Sequence, residues 1–226
     1  MIKVYFALLI TSILFSCKKE QKVGIPGANI LDVEGNSYKT VIIGKQTWMA
    51  ENLKVAKYND GTKIPNIKDD SAWIATEIGA WCHYNNDSTF NIKYGKLYNW
   101  YTVNPMTNGY KNICPVGWHV PGDDEWEVLK DYLGGKNIAG PKLKEEGTES
   151  WVSPNKESTN ISLFTALPGG ARNFKFNYLN TCGYWHSASE YNYNTSKVFV
   201  LIFEEVDAGT LQADKNIGYS IRCLKD

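Results

Sequence analysis

The 226-residue sequence is poor in several residue types: two arginines, three histidines and three methionines. It has no charge excess, because 24 Lys and Arg face 24 Asp and Glu. Without a basic surplus there is no electrostatic footprint for nucleic acid. Beyond the first 16 residues no apolar run approaches the length of about 18 needed to cross a bilayer. No Cys-x-x-Cys pair occurs, which argues against a zinc knuckle or a thioredoxin-type site. No repeat, heptad or low-complexity block is visible, so neither a solenoid nor a coiled coil is expected.

What is present begins with an export signal. Residues 1–16, "MIKVYFALLITSILFS", place Lys3 before an apolar run that ends in a small residue. That is the pattern of a secretory signal peptide. The run closes as "LFSC", Leu14 to Cys17, just before Lys18, Lys19 and Glu20. Leu-x-small-Cys resembles the lipobox of bacterial lipoproteins. The resemblance implies cleavage before Cys17 and acylation of its sulfur and new amino terminus, enough acyl chain for stable anchoring on a membrane. Residues 17–28 read as a lipidated tether and 29–226 as one domain, long enough for a real core.

Eight Trp and fourteen Tyr favour a folded, β-rich domain. Four cysteines remain for disulfides: Cys82, Cys114, Cys182 and Cys223. An even count in an exported chain favours bridges over free thiols. Three pairings are possible. The preferred one joins Cys114 to Cys223 and Cys82 to Cys182. Closing the first loop would stabilise the fold by about 4–5 kcal/mol in the chain-entropy model.

Along the chain, a turn is expected at Glu34-Gly35-Asn36 and a strand at Tyr38–Ile43. Another turn at Gly44-Lys45 leads into a strand at Gln46–Met49. Residues 66–95 read as polar and irregular, Leu97–Val103 as a helical turn, and 136–165 as loop. Lys197–Glu205 reads as the best strand, Asp207–Thr210 as a turn, and Gly218–Asp226 as a final strand. The densest stretch is "CPVGWHVPGDDEW", Cys114 to Trp126. Trp126, Leu129, Tyr132 and Leu133 share one helical face. Asp123, Asp124 and Glu125 fill the first turn, with Gly122 or Asp123 as N-cap and Glu125 reaching back from N3. Three acids in a row are therefore explained by capping rather than catalysis. Trp118 is assigned to the core, and His119 is left without a structural job.

Six ordered blocks carry a family resemblance: "DVEGNSYKTVIIGKQTWMAENLK", "YGKLYNWYTV", "CPVGWHVPGDDEWEVL", "ALPGGARN", "GYWHSASE" and "GYSIRCLKD". Together they resemble the Fibrobacter succinogenes major paralogous domain of exported bacterial proteins, including those of Bacteroidota. Trp118, Pro121, Glu125, Trp126, Arg172 in "GGARN" and Arg222 in "GYSIRC" are more distantly similar to the formylglycine-generating sulfatase-modifying domain. That resemblance implies a C-type-lectin-like α+β fold: loop-rich, with chain ends meeting in a small twisted antiparallel sheet and helices packed on it. The Cys114–Cys223 bridge suits that architecture. The copper-binding cysteine pair of the enzyme and the Glu-Pro-Asn or Gln-Pro-Asp sugar motif of the lectins are both missing.

His83, His119 and His186 could form an open metal site only if the fold gathered them; the expectation is that they do not. Adjacent Cys82 and His83 on a strand would point to opposite faces, which argues against a nucleophile–base pair. Oxygen-rich turns at 59–70 and 85–87 leave calcium conceivable without a supporting motif. No cofactor and no catalytic group is assigned. The expected role is a lipid-anchored outer-membrane module, surface- or periplasm-facing, that binds glycan or protein. The alternatives are an enzyme of the sulfatase-modifying lineage and a structural surface protein. Exposed aromatic rings lining a groove beside Asp, Asn or Arg would favour the first.

Overall fold

The computed structural model of the protein describes residues 22–226. The expected signal peptide, residues 1–16, and the expected lipidation site Cys17 lie outside the described residues. The order of elements is β1 (Ile25–Pro26), β2 (Ile30–Leu31), β3 (Ser37–Tyr38), β4 (Thr40–Ile43), β5 (Gln46–Met49), α1 (Asp70–Ala75), β6 (Trp81–Cys82), α2 (Phe90–Tyr94) and β7 (Leu97–Tyr98). Then follow α3 (Pro105–Asn108), β8 (Trp118–His119), α4 (Asp123–Tyr132), α5 (Lys136–Leu143), β9 (Gly169–Arg172), β10 (Phe176–Leu179), β11 (Cys182–Glu190), β12 (Thr195–Ile202), β13 (Ala208–Asp214) and β14 (Leu224–Lys225). This is an α+β architecture of small antiparallel sheets.

The largest sheet runs β1-β4-β5-β14-β8. Its β4–β5 hairpin forms as the sequence predicts. Gly44 supplies the positive φ of 61° that the two-residue turn requires. Val41 and Ile43 point inward while Ile42 faces out, the period of two expected of a half-buried strand. A second sheet, β11-β12-β13, carries the predicted long apolar strand. Between the two sheets lies α4, whose Trp126 stacks on Phe199 at 4.3 Å and tilts against Trp48 at 4.6 Å. Phe164, Trp151 and Trp185 complete this core.

The capping of α4 is as read from sequence. The backbone N–H of Gly122 donates to Glu125 Oε2 at 2.8 Å. Trp126, Leu129 and Leu133 are buried, but Tyr132 is exposed and Lys130 takes the buried place beside the stripe. Tyr132 sits at the edge of the apolar face, where its ring covers Gly44.

Several stretches read as irregular are ordered. Residues 136–143 form α5, although they contain Gly140 and Pro141. The helix is held from outside: Ala139 and Leu143 are buried, and Gly140 donates to Val206 O at 3.1 Å. A Cβ on Gly140 would lie 2.6 Å from that oxygen, so only glycine permits the approach. Region 66–95 contains α1, capped by Asp69 Oδ1 accepting from Ala72 N at 2.8 Å, together with β6 and α2. Leu97–Tyr98 is a strand rather than a helical turn, followed by a single 3-10 turn at Trp100–Thr102. The turn expected at Asp207–Thr210 lies earlier, at Phe203–Glu204, and Ala208–Thr210 already belong to β13. The expected last strand is reduced to β14, preceded by isolated bridges at Gly218, Tyr219 and Ser220. Within the tether, Ile25–Pro26 pair with β4 and belong to the sheet.

Candidate functional site

The conspicuous sequence block proves to be scaffold. Cys114 and Cys223 are bridged and fully buried, in a cluster with Trp118 and Ile221. Pro121 is buried and its carbonyl accepts from Ala188 N at 2.8 Å. Cys82 and Cys182 are both buried and unpaired, contrary to the expected second disulfide. They belong to different packing environments. Cys82 sits with Trp73, Ala80, Tyr84 and Leu97, whereas Cys182 opens β11 opposite Ile202. Burial pushes the Cys82 thiol up to about 11, which makes it a poor nucleophile.

Both arginines are interior clamps. Arg172 donates to Ile67 O at 2.6 Å, to Lys68 O at 2.7 Å and to Asp70 Oδ1 at 3.1 Å. Its guanidinium lies 4.5 Å from the Trp73 ring centroid. Arg222 has no carboxylate partner among the described residues. It donates through Nε to Asn52 Oδ1 at 2.9 Å, to Phe164 O, and to Thr165 O at 2.8 Å, with its plane 4.3 Å over the Phe164 ring. Burial pushes it down to about 9, so it stays charged at neutral pH.

The three histidines occupy separate places. His83 packs edge-on to Trp81 at 5.1 Å. His119, left without a role by the sequence, is held between two carboxylates. Its Nδ1 lies 2.6 Å from Asp226 Oδ1 and its Nε2 2.9 Å from Glu125 Oε1. Burial pulls this histidine down, but the two carboxylates outweigh it and raise it overall. Among the described residues no group of three or more His, Cys, Asp or Glu is placed to hold a metal. The aspartates of the oxygen-rich turns are engaged locally: Asp60 accepts from Thr62 N and Asp87 from Thr89 N.

His186 is fully buried on β11. Its Nε2 lies 2.6 Å from Tyr98 O, so Nε2 carries the proton and Nδ1 is left without a partner. Burial drives it down to about 4. The folded form therefore binds the proton less readily than the unfolded chain, whose histidine titrates near 6.5. Its contribution to stability is complete above about pH 6.5 and is lost as pH falls toward 4, about 3 kcal/mol in all. His119 has the opposite sign: its contribution is present below its unfolded value and fades as pH rises through the raised folded value. Urea unfolding at pH 7 and pH 4.5 measures this. His186→Gln should show a clearly smaller loss between the two than the native chain; an equal loss would refute the assignment.

Two of the open sites combine apolar surface with charged side chains in a way that bears on function. The first is a pocket of about 260 Å³ where the Trp100–Thr102 turn and α3 meet the β11–β12 loop. Tyr101, Met106 and Tyr193 supply its apolar surface, and Glu77, Glu190 and Asn194 its polar rim. Tyr193 is 87 % exposed and Met106 75 %. Lys215 is buried beneath them, pairs with Glu190, and donates to Tyr193 O at 2.7 Å. Its ammonium lies 4.8 Å from the Trp100 ring centroid. Burial raises Tyr101, and the Glu77 charge adds to this, which places an acidic group beside the ring. The loop is pinned by Asn192 Oδ1, which accepts from the backbone of Asn194 and Thr195. The pocket thus has a pinned loop as one wall, and its Glu77 and Asn194 side chains are not engaged among the described residues.

The second is a cleft of about 570 Å³ between β1, β4 and the segment 163–167. It has no aromatic lining. Val41, Ala50, Leu163 and Leu167 form its apolar surface, and Lys39, Glu51, Lys93 and Glu145 its charges. Neither site was foreseen. Their residues are spread from 26 to 215, over several of the family-resemblance blocks and the stretches between them, and no block by itself brings them together.

The family profile described as the Fibrobacter succinogenes major domain matches residues 41–225. No curated protein and no solved structure matches the chain.

Proposed function

Since the chain belongs to the Fibrobacter succinogenes major domain family, whose name states no chemistry, we propose its role from geometry: it is a binding module that takes carbohydrate in the Tyr101–Tyr193 pocket. The observation that carries this is an exposed tyrosine ring set beside the carboxylate of Glu77 and the amide of Asn194, neither of which is engaged among the described residues. A sugar presents an apolar ring face and a rim of hydroxyls, and such a pocket offers both complements. The buried Lys215 pre-orders the loop that carries Tyr193, which lowers the entropy lost on binding.

Within this proposal the fold is C-type-lectin-like. In support, β1 and β14 share one sheet, and the Cys114–Cys223 bridge joins the entry to β8 and α4 to the last strand. The module is held at the outer membrane through Cys17, and the "LFSC" pattern supports this. The intact mass of protein extracted from membranes, short of residues 1–16 and heavier by acyl chains, checks the anchor.

The full-length protein in mild detergent is applied to a glycan and cell-wall array, with calcium and with chelator. Saturable binding to one glycan class is expected, with Tyr193→Ala weakening it about tenfold or more, the scale of one stacking contact plus its ordered loop. Silence across the array, or an unaffected Tyr193→Ala, would overturn the reading.

A further inference from the structure

We infer that the larger cleft is a second, independent site that binds a short zwitterionic peptide, its ammonium on Glu145 and its carboxylate at Lys39 and Lys93. The cleft is large enough for a small ligand, since such sites commonly span about 300–1,000 Å³. Its charges are not neutralised from within. Glu145 Oε2 is buried and has no hydrogen-bond partner among the described residues. The Glu145 side chain lines the cleft, is only partly buried as a whole and forms no ion pair among the described residues, so an ammonium group entering the cleft would supply its missing partner.

The other acid in the cleft is already engaged. Glu51 accepts from Lys39 N at 2.7 Å and from Lys54 Nζ at 3.3 Å. The first of these bonds fixes the Lys39 backbone at the rim while leaving its ammonium without a partner among the described residues. Lys93 reaches no nearer than 3.5 Å to the carbonyl of Glu149. One unpartnered acid and two weakly held lysines thus share a cleft floored by Val41, Ala50, Leu163 and Leu167. A ligand of one sign would meet repulsion from one part of the rim. A zwitterion with apolar side chains meets a complement at each end and along the middle. The missing aromatic surface argues against sugar here, which separates this site from the tyrosine pocket.

The probes are the dipeptide Leu-Leu, its N-acetylated form and its C-terminal amide. Binding to the full-length protein is measured by titration calorimetry. Leu-Leu should bind saturably, and blocking either terminus should weaken it about tenfold or more. Glu145→Gln should erase the difference between Leu-Leu and its N-acetyl form, and Lys39→Gln should shrink the difference between Leu-Leu and its amide. Tyr193→Ala should leave all three affinities unchanged, so failure of the sugar reading and failure of this one are distinguishable. Thermal unfolding checks that the variants are folded. No binding of Leu-Leu, equal binding of the three probes, or a Glu145→Gln protein that still discriminates them would overturn the proposal.

Discussion

Replacing Arg222 by Met is expected to destabilise the domain by about 3 kcal/mol, lowering its melting temperature by roughly 6–12 °C. The carbonyls of Phe164 and Thr165 accept from this guanidinium, and no other donor reaches them among the described residues. Each buried carbonyl left unpaired costs about 1–3 kcal/mol. Asn52 Oδ1 fares better, because Trp185 Nε1 still donates to it at 2.9 Å. The stacking on Phe164 is lost as well. Against these losses stands relief of the cost of burying a charge, which Met removes. Two orphaned carbonyls and a lost cation–π contact outweigh it. Arg222→Lys should be about as damaging: a single ammonium cannot span three acceptors arranged for a planar fork. Chemical denaturation of both variants measures the effect. A Met variant as stable as the native chain would show that desolvation, not hydrogen bonding, dominates the site.

Removing the Cys114–Cys223 bridge is expected to cost about 4–5 kcal/mol, the largest single loss in the molecule. The bridged residues are 109 positions apart, and longer closed loops constrain the unfolded chain more. Both sulfurs sit in a packed cluster with Trp118 and Ile221, so Cys114→Ala with Cys223→Ala also opens space there. Thermal unfolding with and without reductant gives the magnitude. A thiol titration of the unfolded, unreduced chain checks the companion finding. Beyond Cys17 it should count two thiols, from Cys82 and Cys182, and none before unfolding, because both are buried. A count of zero after unfolding would restore the second bridge.

What could be read from sequence was what is local. The β4–β5 hairpin carries its own turn glycine, and α4 carries its own cap, acids and apolar stripe. Helix α5 was illegible because "NIAGP" contains two helix-weakening residues. Its stability comes from Val206, more than 60 residues away in the chain. An even cysteine count suggested two bridges, but nothing in the sequence shows that Cys82 and Cys182 pack apart. His119 looked idle because one of its two partners, Asp226, is the last residue of the chain given. The tyrosine pocket was the hardest to see. Glu77, Tyr101, Tyr193 and Lys215 are brought together only by tertiary folding, and the tyrosine-rich "EYNYNT" was the one faint signal.

The place of β14 has a kinetic meaning. It lies between β5 and β8, not at an edge, although it is the last strand in the chain. Residues from the first quarter of the sequence therefore find their hydrogen-bond neighbours only when the final residues arrive. The same short segment, 218–225, brings Arg222 to Asn52, Cys223 to Cys114 and Leu224 to Trp48. Such long-range closure makes for slow folding. A chain emerging amino-terminus first cannot complete this sheet until its final residues are free, so its early strands wait with unpaired edges.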